Sequence, residues 1–343
     1  MQSYVVAFIT ALVLAYLITP SVIKLAIKLG AMDAPDARKV HKHPIPRMGG
    51  LAIYIGFVVA VLASMHMDKD ILGLLAGGTV ILLVGIADDM LQLPAKVKLL
   101  GQIAAAIVLV LFDIQIEWLT NPFGDMIYVE YFSVPITILW VVGLTNTVNL
   151  IDGLDGLAAG VSTIAALTIL LVALQQNFWI VAVLTSALAG SALGFLQHNF
   201  NPAKVFMGDT GSMFLGYMLA AISILGTVKS AATIALIVPI VALGLPIMDT
   251  TFAIIRRYNS GQPIFKPDKG HLHHRLLAMG LSQKQAVLLM YVISGCLGLS
   301  AIALTEVNMG FAAVILFCLL ALAFVGARKV GVLKQNDSAQ SHS

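Results

Sequence analysis

The chain has 343 residues, of which 59% are hydrophobic and 11% charged, with a formal net charge of +3. Soluble domains carry roughly a quarter charged residues, so a mean hydropathy of +0.95 excludes a water-soluble globule. The 29 glycines show no period and there are only two cysteines, which excludes collagen-like and disulfide-framework proteins. The composition predicts a polytopic membrane protein.

Eleven apolar segments approach the length of about 20 residues that a membrane-spanning helix needs. They lack the alternation of barrel strands, so we expect an all-α fold. No polar linker or internal repeat interrupts the chain. We therefore expect one integral-membrane domain over residues 1–343, with a flexible tail at 330–343. The predicted spans are 4–23, 49–66, 71–87, 99–116, 134–150, 156–174, 178–197, 212–227, 231–250, 285–304 and 309–327.

The basic residues predict the orientation of these spans. Of the 20 Lys and Arg residues, 18 follow odd-numbered spans, and only Lys69 and Lys229 do not. Because cytoplasmic loops carry an excess of Lys and Arg, we expect the N-terminus outside and the C-terminus in the cytoplasm. The first span has no basic segment before it and no small-residue cleavage site, so we do not expect a cleaved signal peptide. The positive charge then reflects topology and gives no reason to expect nucleic-acid binding.

Six aspartates lie at or just past the predicted cytoplasmic ends of four spans, where ionisable groups suggest function. They are Asp88, Asp89, Asp152, Asp155, Asp209 and Asp249. The adjacent carboxylates of Asp88 and Asp89 would repel each other less if a divalent cation or a shared proton lay between them. A solvated helix end is the alternative. Lys96 and Lys98 follow closely and could hold phosphate oxygens.

Asn149, Asp152 and Asp155 are spaced three residues apart and would share one face if the segment were helical. Gly153 and Gly156 would instead allow a break and a close approach of a ligand to the backbone. A helix cap would explain one of these aspartates but not the series.

Asp209 lies in a Gly-flanked segment, 206–212, that leads into the eighth span. A helix N-terminus of this kind can bind phosphate, and a carboxylate is a hard oxygen ligand suited to Mg²⁺. The alternative is that Asp209 or Thr210 caps the helix. For Asp249, a capping or supporting role is as compatible with the sequence as a direct one.

Two loops combine histidines with basic residues. In the loop 263–275, three histidines within four residues precede Arg275, beside Lys266 and Lys269. No Cys or spaced carboxylate completes a zinc site, so a pyrophosphate clamp fits better. The first loop is similar, and a basic membrane-surface patch is its alternative explanation. Its charged residues and histidines include Asp33, Asp36, Arg38, Lys39, His41, His43 and Arg47.

No nucleotide-binding P-loop, serine-hydrolase elbow, zinc-protease motif or Cys/His nucleophile pattern is present. Carboxylates for a hard cation and cations for phosphates instead gather on one predicted face. This combination favours metal-assisted phosphoryl transfer from a soluble nucleotide to a lipid acceptor.

Five motifs in chain order resemble those of the bacterial polyprenyl-phosphate N-acetylhexosamine-1-phosphate transferases. They are RKVH (38–41) with PRMGG (46–50), DD (88–89), NLIDGLDG (149–156), MGDTGS (207–212) and HLHHR (271–275). The last motif is similar to that of the N-acetylglucosamine branch, and the chain looks most like the enzymes that start wall teichoic acid synthesis. The resemblance implies transfer of GlcNAc-1-phosphate from UDP-GlcNAc to undecaprenyl phosphate in the bacterial plasma membrane. The products would be undecaprenyl-diphospho-GlcNAc and UMP, with Mg²⁺ or Mn²⁺ as cofactor; a homodimer stays open.

The resemblance also implies residue roles. Asp209 would be the metal ligand, Asp88 the base acting on the lipid phosphate, and Asp89 and Asp152 would line the same catalytic site. Position 92 is Gln92, so no third carboxylate is expected there. The implied substrate-binding residues are Arg38, Lys39, His41, Arg47, Lys98, Asn149, Asp155, His271, His273, His274 and Arg275.

A transporter is the competing class, since carboxylates within a membrane also mark ion pathways. Transporters are commonly built from inverted repeats with a site near the bilayer midplane. Here the charges gather at one predicted face and no repeat is visible. A purely structural membrane protein would leave the histidine loop without a role.

Overall fold

The computed structural model describes residues 3–35, 43–119, 127–228, 236–259, 261, 270–307 and 309–330. Most of these residues are helical, as the composition predicts. The helices are α1 Ser3–Leu29, α2 Gly50–Ser64, α3 Lys69–Leu91, α4 Ala95–Leu111, α5 Ser133–Ile151, α6 Leu157–Gln175, α7 Trp179–Asn199, α8 Gly208–Val228, α9 Ile237–Ala242, α10 Gly244–Asn259, α11 Leu272–Ala278, α12 Gln283–Leu304 and α13 Met309–Val330.

Two very short antiparallel strand pairs accompany the helices. β1 (Met32–Asp33) pairs with β2 (Ile45–Pro46), and β3 (Trp118–Leu119) pairs with β4 (Ile127–Tyr128). A 3-10 turn at Glu130–Phe132 leads into α5. Each pair is a sheet of two strands with two residues per strand, so the all-α expectation is confirmed for the described residues.

Seven helices of the described part of the chain are long and apolar enough to cross a membrane. They are α1, α3, α5 with its preceding turn, α6, α7, α8 and α12. Shorter apolar helices occur at Gly50–Ser64 and Gly310–Gly326. The protein is therefore an all-α polytopic membrane protein.

Ten of the eleven predicted spans each lie on one helix, although the fourth runs past the end of α4 at Leu111. The prediction of a continuous span over 231–250 is wrong, because α9 ends at Ala242 and α10 begins at Gly244. Pro246 has no N–H to donate to the carbonyl of Ala242, which interrupts the helix at this point. Residues 229–235 lie outside the described ranges.

Small residues let the helices of the core approach closely. Along α1, the residues Ala7, Ala11 and Ala15 are fully buried and form a stripe with a spacing of four. On α7, a Cβ atom at Gly190 or Gly194 would overlap backbone carbonyl groups of α1. Within a membrane, where apolar side chains gain little by leaving lipid, such close packing holds helices together. α8 is the most deeply buried of the seven apolar helices.

Backbone pairing joins the segment before α2 to the segment before α8. The N–H of Gly49 donates to the carbonyl of Phe206 (3.0 Å), and the N–H of Phe206 donates to the carbonyl of Pro46 (2.8 Å). At the helix starts, a Cβ atom at Gly50 would overlap the backbone of Gly211. The glycines of these two motifs therefore allow α2 and α8 to begin side by side, at the end of the bundle where the candidate site lies.

Candidate active site

Three carboxylates converge where α3 ends and α8 begins. Asp88 and Asp89 lie in the last turn of α3, and Asp209 lies in the first turn of α8. One carboxylate oxygen from each lies within 4.8 Å of the others. Lys98 of α4 lies between two of them, with its Nζ 2.7 Å from Asp209 Oδ2 and 3.4 Å from Asp88 Oδ2.

Asp89 holds the start of α8. Its Oδ1 accepts a hydrogen bond from the N–H of Asp209 (3.0 Å), and its Oδ2 accepts from the N–H (3.0 Å) and hydroxyl (2.6 Å) of Thr210. The first N–H groups of a helix have no partner within it, so Asp89 caps α8 from another helix. Gly208 has φ +69°, and a Cβ atom there would overlap the Asp89 carboxylate. The proposed capping role of Asp209 or Thr210 is therefore taken by Asp89.

Asp88 differs from Asp89 in what it binds. Its Oδ1 accepts the N–H of Leu93 just beyond α3 (2.8 Å), and its Oδ2 lies nearest the Lys98 ammonium. The first turn of α8 is also contacted from α5, because Asn149 Nδ2 donates to the hydroxyl of Ser212 (2.8 Å). The cluster thus combines side chains of α3, α4, α5 and α8.

The aspartates after Asn149 do not continue the helix. α5 ends at Ile151, and Asp152 has φ −75° and ψ 54°, which is not helical. Gly156 has φ +79°, a conformation that favours glycine. A single helical face for Asn149, Asp152 and Asp155 is therefore wrong, and the alternative of a break at the glycines is confirmed.

A cavity of about 360 Å³ opens beside the carboxylate cluster. Ligand pockets for small molecules begin at about this size. Six of the residues proposed from the sequence line it, namely Arg47, Asn149, Asp152, Asp155, Asp209 and His274. The sequence reasoning did not single out Asn199 and Gln283, which also line it, and it gave no role to Phe206, the first residue of the segment 206–212. A polar residue without a motif around it gives no signal of this kind.

Arg47 lines the cavity and forms a salt bridge with Asp33. Its Nη2 lies 2.8 Å from Asp33 Oδ1, and its own N–H donates to the carbonyl of Ala31 (2.9 Å) where β1 pairs with β2. The Asp33 side chain is largely buried, so this pair sets the direction of the guanidinium. Both residues line the cavity.

Asp155 ties the cavity to the loop between α7 and α8. Its Oδ2 accepts hydrogen bonds from Asn201 Nδ2 (2.9 Å) and from the N–H of Ala203 (3.0 Å). The same amide nitrogen of Asn201 donates to Gln283 Oε1 at the start of α12 (2.9 Å). Asn199 supports the turn by accepting the N–H of Gly156 (3.1 Å). One oxygen of Asp155 is therefore engaged by the protein itself.

Asp249 binds the start of the histidine motif. His271 Nδ1–H donates to Asp249 Oδ2 (2.9 Å), and the N–H of Leu272 donates to Asp249 Oδ1 (2.8 Å). Asp249 is 4% exposed and His271 is 5% exposed. Since Leu272 is the first residue of α11, the capping role considered for Asp249 is confirmed, although the helix it caps is not its own.

The three histidines face different surroundings. His273 is buried against Gly153, where a Cβ atom would overlap its ring. Burial, together with neighbouring His274, lowers the pKa of His273 to about 3, so its ring is neutral at physiological pH. His274 lines the cavity, and its ring centroid is 4.3 Å from that of His273. The structure describes all five residues of the HLHHR motif, and among them His274 is the one that lines the cavity.

Asp152 lies in the loop between α5 and α6 and lines the cavity. Burial raises its pKa to about 8, and the negative charges of Asp209 and Asp89 add to the effect. Around the cavity and cluster, the described carboxylates outnumber the described cations. A ligand bearing a pyrophosphate would therefore meet repulsion unless a cation accompanied it, which suits carboxylate donors that bind Mg²⁺.

Residues 71–227 match the family model described as glycosyl transferase family 4. Over 333 residues, the chain is 45% identical to a probable undecaprenyl-phosphate N-acetylglucosaminyl 1-phosphate transferase of Bacillus subtilis strain 168. That similarity covers 96% of this chain and 93% of the relative. The chain belongs to the polyprenyl-phosphate N-acetylhexosamine-1-phosphate transferases, within glycosyl transferase family 4.

Other family members are more distant. The chain is 38% identical to a decaprenyl-phosphate N-acetylglucosaminephosphotransferase of Mycolicibacterium smegmatis, over 92% of this chain and 86% of that protein. It is 33% identical to a phospho-N-acetylmuramoyl-pentapeptide-transferase of Thermoanaerobacter sp., over 84% of this chain and 93% of that protein. Membership of this transferase family removes the transporter and purely structural alternatives.

Some predicted residues lie outside the described ranges. Arg38, Lys39 and His41 fall within 36–42, and Lys266 and Lys269 fall within 262–269. Their roles in this transferase stay predictions. Within the described ranges, the potential metal ligands that converge are the carboxylates of Asp88, Asp89 and Asp209.

Proposed function

We propose that the protein transfers GlcNAc-1-phosphate from UDP-GlcNAc to undecaprenyl phosphate and releases UMP. This would be the first membrane step of a cell-envelope polymer pathway such as that of wall teichoic acid. The observation that carries the proposal is that Asp209 lines a cavity of about 360 Å³ and converges with Asp88 and Asp89. The printed name of the Bacillus subtilis relative supports the same acceptor and sugar.

In this reaction an oxygen of the lipid phosphate forms a bond to the phosphorus attached to the sugar. The bond between that phosphorus and the bridging oxygen breaks, and UMP leaves with that oxygen. Asp88 serves as the base that keeps the attacking phosphate deprotonated. Its position supports this role, because one of its oxygens lies toward Lys98 and not toward a backbone donor.

Mg²⁺, or Mn²⁺ in its place, is the proposed cofactor, and Asp209 its proposed ligand. The donor set fits the ion, since hard oxygen ligands converge. Both Asp89 oxygens already accept hydrogen bonds from α8, which is why Asp209 and not Asp89 is the proposed ligand. When bound, the ion would neutralise charge on the pyrophosphate and on the leaving UMP. Lys98 lies 2.7 Å from Asp209 and adds a second positive charge for phosphate oxygens.

The donor is proposed to occupy the cavity lined by Asn149, Asp152 and Asp155. Arg47, directed by Asp33, and His274 are proposed to contact its phosphates or sugar from opposite loops. Arg38, Lys39, His41 and Arg275 are further proposed binding residues. His271 and His273 are buried, so we propose that they support the site and do not touch the donor.

The site is proposed to face the cytoplasm, where UDP-GlcNAc is available. The asymmetry of 18 basic residues out of 20 supports this orientation and an outside N-terminus in the bacterial plasma membrane. We propose eleven crossings in one integral-membrane domain, with α9 and α10 sharing the broken ninth crossing. A homodimer is compatible with this arrangement.

The deciding experiment identifies the nucleotide product. Purified protein in detergent would be given UDP-GlcNAc, undecaprenyl phosphate and Mg²⁺, and the nucleotides separated by chromatography. We expect UMP in amounts equal to the lipid-linked sugar, and none without the lipid. Release of UDP would mean transfer of the sugar alone and would overturn the proposal. Asp209→Asn is the control for contaminating hydrolases.

A further inference from the structure

The helix α10 carries a buried carboxylate outside the three-carboxylate cluster. Asp249 is 4% exposed and lies one turn into α10, after the break that separates it from α9. A buried carboxylate is costly unless hydrogen bonds satisfy it. Both of its oxygens have a partner, and both partners belong to the start of α11.

The start of α11 depends on contacts from outside that helix. α11 has seven residues, and helices this short are not stable by themselves in water. His271 is its N-cap residue but makes no capping hydrogen bond with its side chain. Asp249 supplies that cap through the N–H of Leu272 and holds the His271 ring with its second oxygen.

A second residue on the same side of α10 strengthens this attachment. Arg256, seven residues after Asp249, is buried, and a Cβ atom at Gly270 would overlap its guanidinium. Gly270 directly precedes His271. The inner side of α10 therefore contacts the chain at three consecutive residues, 270–272.

From His271 a row of rings leads to the donor cavity. The centroids of His271 and His273 are 5.9 Å apart with an interplanar angle of 10°, and His273 packs against Gly153. His274, next in the row, lines the cavity. A shift at the start of α11 would move His274 and release Gly153, the neighbour of Asp152.

We propose that Asp249 is a positioning residue for the donor site. It fixes the start of α11 so that His274 faces the cavity and His273 supports the loop of Asp152. Asp249 does not itself touch the donor. The inference rests on the proposed use of UDP-GlcNAc, and it assigns α10 a part in binding that substrate.

The experiment compares three purified variants by steady-state release of UMP. Asp249→Ala removes both hydrogen bonds, and we expect the KM for UDP-GlcNAc to rise about tenfold, with kcat changed much less. Asp249→Asn can accept from Leu272 and donate to Nδ1 of the other His271 tautomer, so its KM should return close to the wild-type value. Thr251→Ala is the control, since that exposed hydroxyl bonds only the carbonyl of Ile247 in its own helix.

A merely structural role would lower the fraction of folded enzyme and leave KM unchanged. An unchanged KM in Asp249→Ala, or an equal rise in Asp249→Ala and Asp249→Asn, overturns the proposal. Should Asp249→Ala fail to purify, Asp249→Glu decides, because it keeps the charge but displaces the carboxylate. A raised KM then supports the proposal, and a wild-type KM overturns it. If neither the wild type nor Thr251→Ala releases UMP, the proposed function itself is overturned.

Discussion

The N–H of Asp209 donates a hydrogen bond of 3.0 Å to Oδ1 of Asp89, 120 positions earlier in the chain. Two carboxylates of one cluster thus have different tasks. Asp89 anchors the backbone of α8, and the side chain of Asp209 is directed toward the cavity and Lys98. Substitution of each aspartate by asparagine should separate anchoring from chemistry.

Asp89→Asn should destabilise the protein. An amide oxygen can still accept from Asp209, but the amide NH₂ would face the N–H and hydroxyl donors of Thr210. The loss of satisfied buried hydrogen bonds should lower the free energy of unfolding by about 1–3 kcal/mol. Thermal unfolding in detergent, followed by circular dichroism, would measure this as a lower Tm. A wild-type Tm would contradict the anchoring role.

Asp209→Asn should abolish turnover while keeping the fold. The amide is a weaker ligand for Mg²⁺, and its backbone N–H still reaches Asp89. In wild type, Mg²⁺ at about 100 times its Kd should stabilise the protein by about 2.7 kcal/mol. Titration of Mg²⁺ against Tm should show this rise in wild type and little in Asp209→Asn. Equal stabilisation of both would remove Asp209 from the proposed ligand role.

The stability of the metal-free protein should fall with rising pH because of Asp152. Its pKa is raised to about 8 in the folded protein, against about 3.9 for an unperturbed aspartate. Between these values the folded state binds the extra proton at Asp152, so the contribution of this group to stability is fully present below about pH 4 and is lost as the pH rises through 8. The slope from this group is at most about 1.4 kcal/mol per pH unit.

The measurement is Tm against pH from 5 to 8.5 in EDTA, for wild type and Asp152→Asn. The asparagine variant cannot ionise, so the difference between the two curves isolates this group. We expect the variant to gain stability relative to wild type as pH rises. Parallel curves would show that Asp152 titrates normally.

Cysteine labelling should establish the orientation. In a chain with Cys296 and Cys318 replaced by alanine, single cysteines at Lys96 or Lys204 should resist a membrane-impermeant thiol reagent added to intact cells. One at Glu117 should react. All three positions are exposed. Labelling at Lys96 and Lys204 from outside, and not at Glu117, would reverse the proposed topology.

The apolar runs and the acidic motifs could be read from the sequence, because both signals are local. Ten of the predicted spans lie on helices, and Asp88, Asp89 and Asp209 come together from helices more than 100 residues apart in the chain. The break at Leu243 was missed because the hydropathy of 231–250 is continuous, and only Pro246 indicates an interruption.

Pairings between distant polar residues could not be predicted. Asp33 with Arg47 and Asp249 with His271 depend on how the loops fold back, and no spacing rule connects them. Asn199 ends α7 and Gln283 begins α12, and the packing of these two helices against α6 brings both side chains to the cavity. Sequence motifs thus located the carboxylate cluster but not the residues that orient the side chains around it.

The close association of Lys98 with Asp88 and Asp209 would limit the number of metal ions that the proposed site can hold. With all three carboxylates ionised, the cluster and this lysine carry a formal charge of −2. One divalent ion brings the total to zero, and a second would leave an excess of +2 before any substrate phosphate arrives. The cluster is thus matched in charge to a single ion, in contrast to the paired ions of polymerases and nucleases.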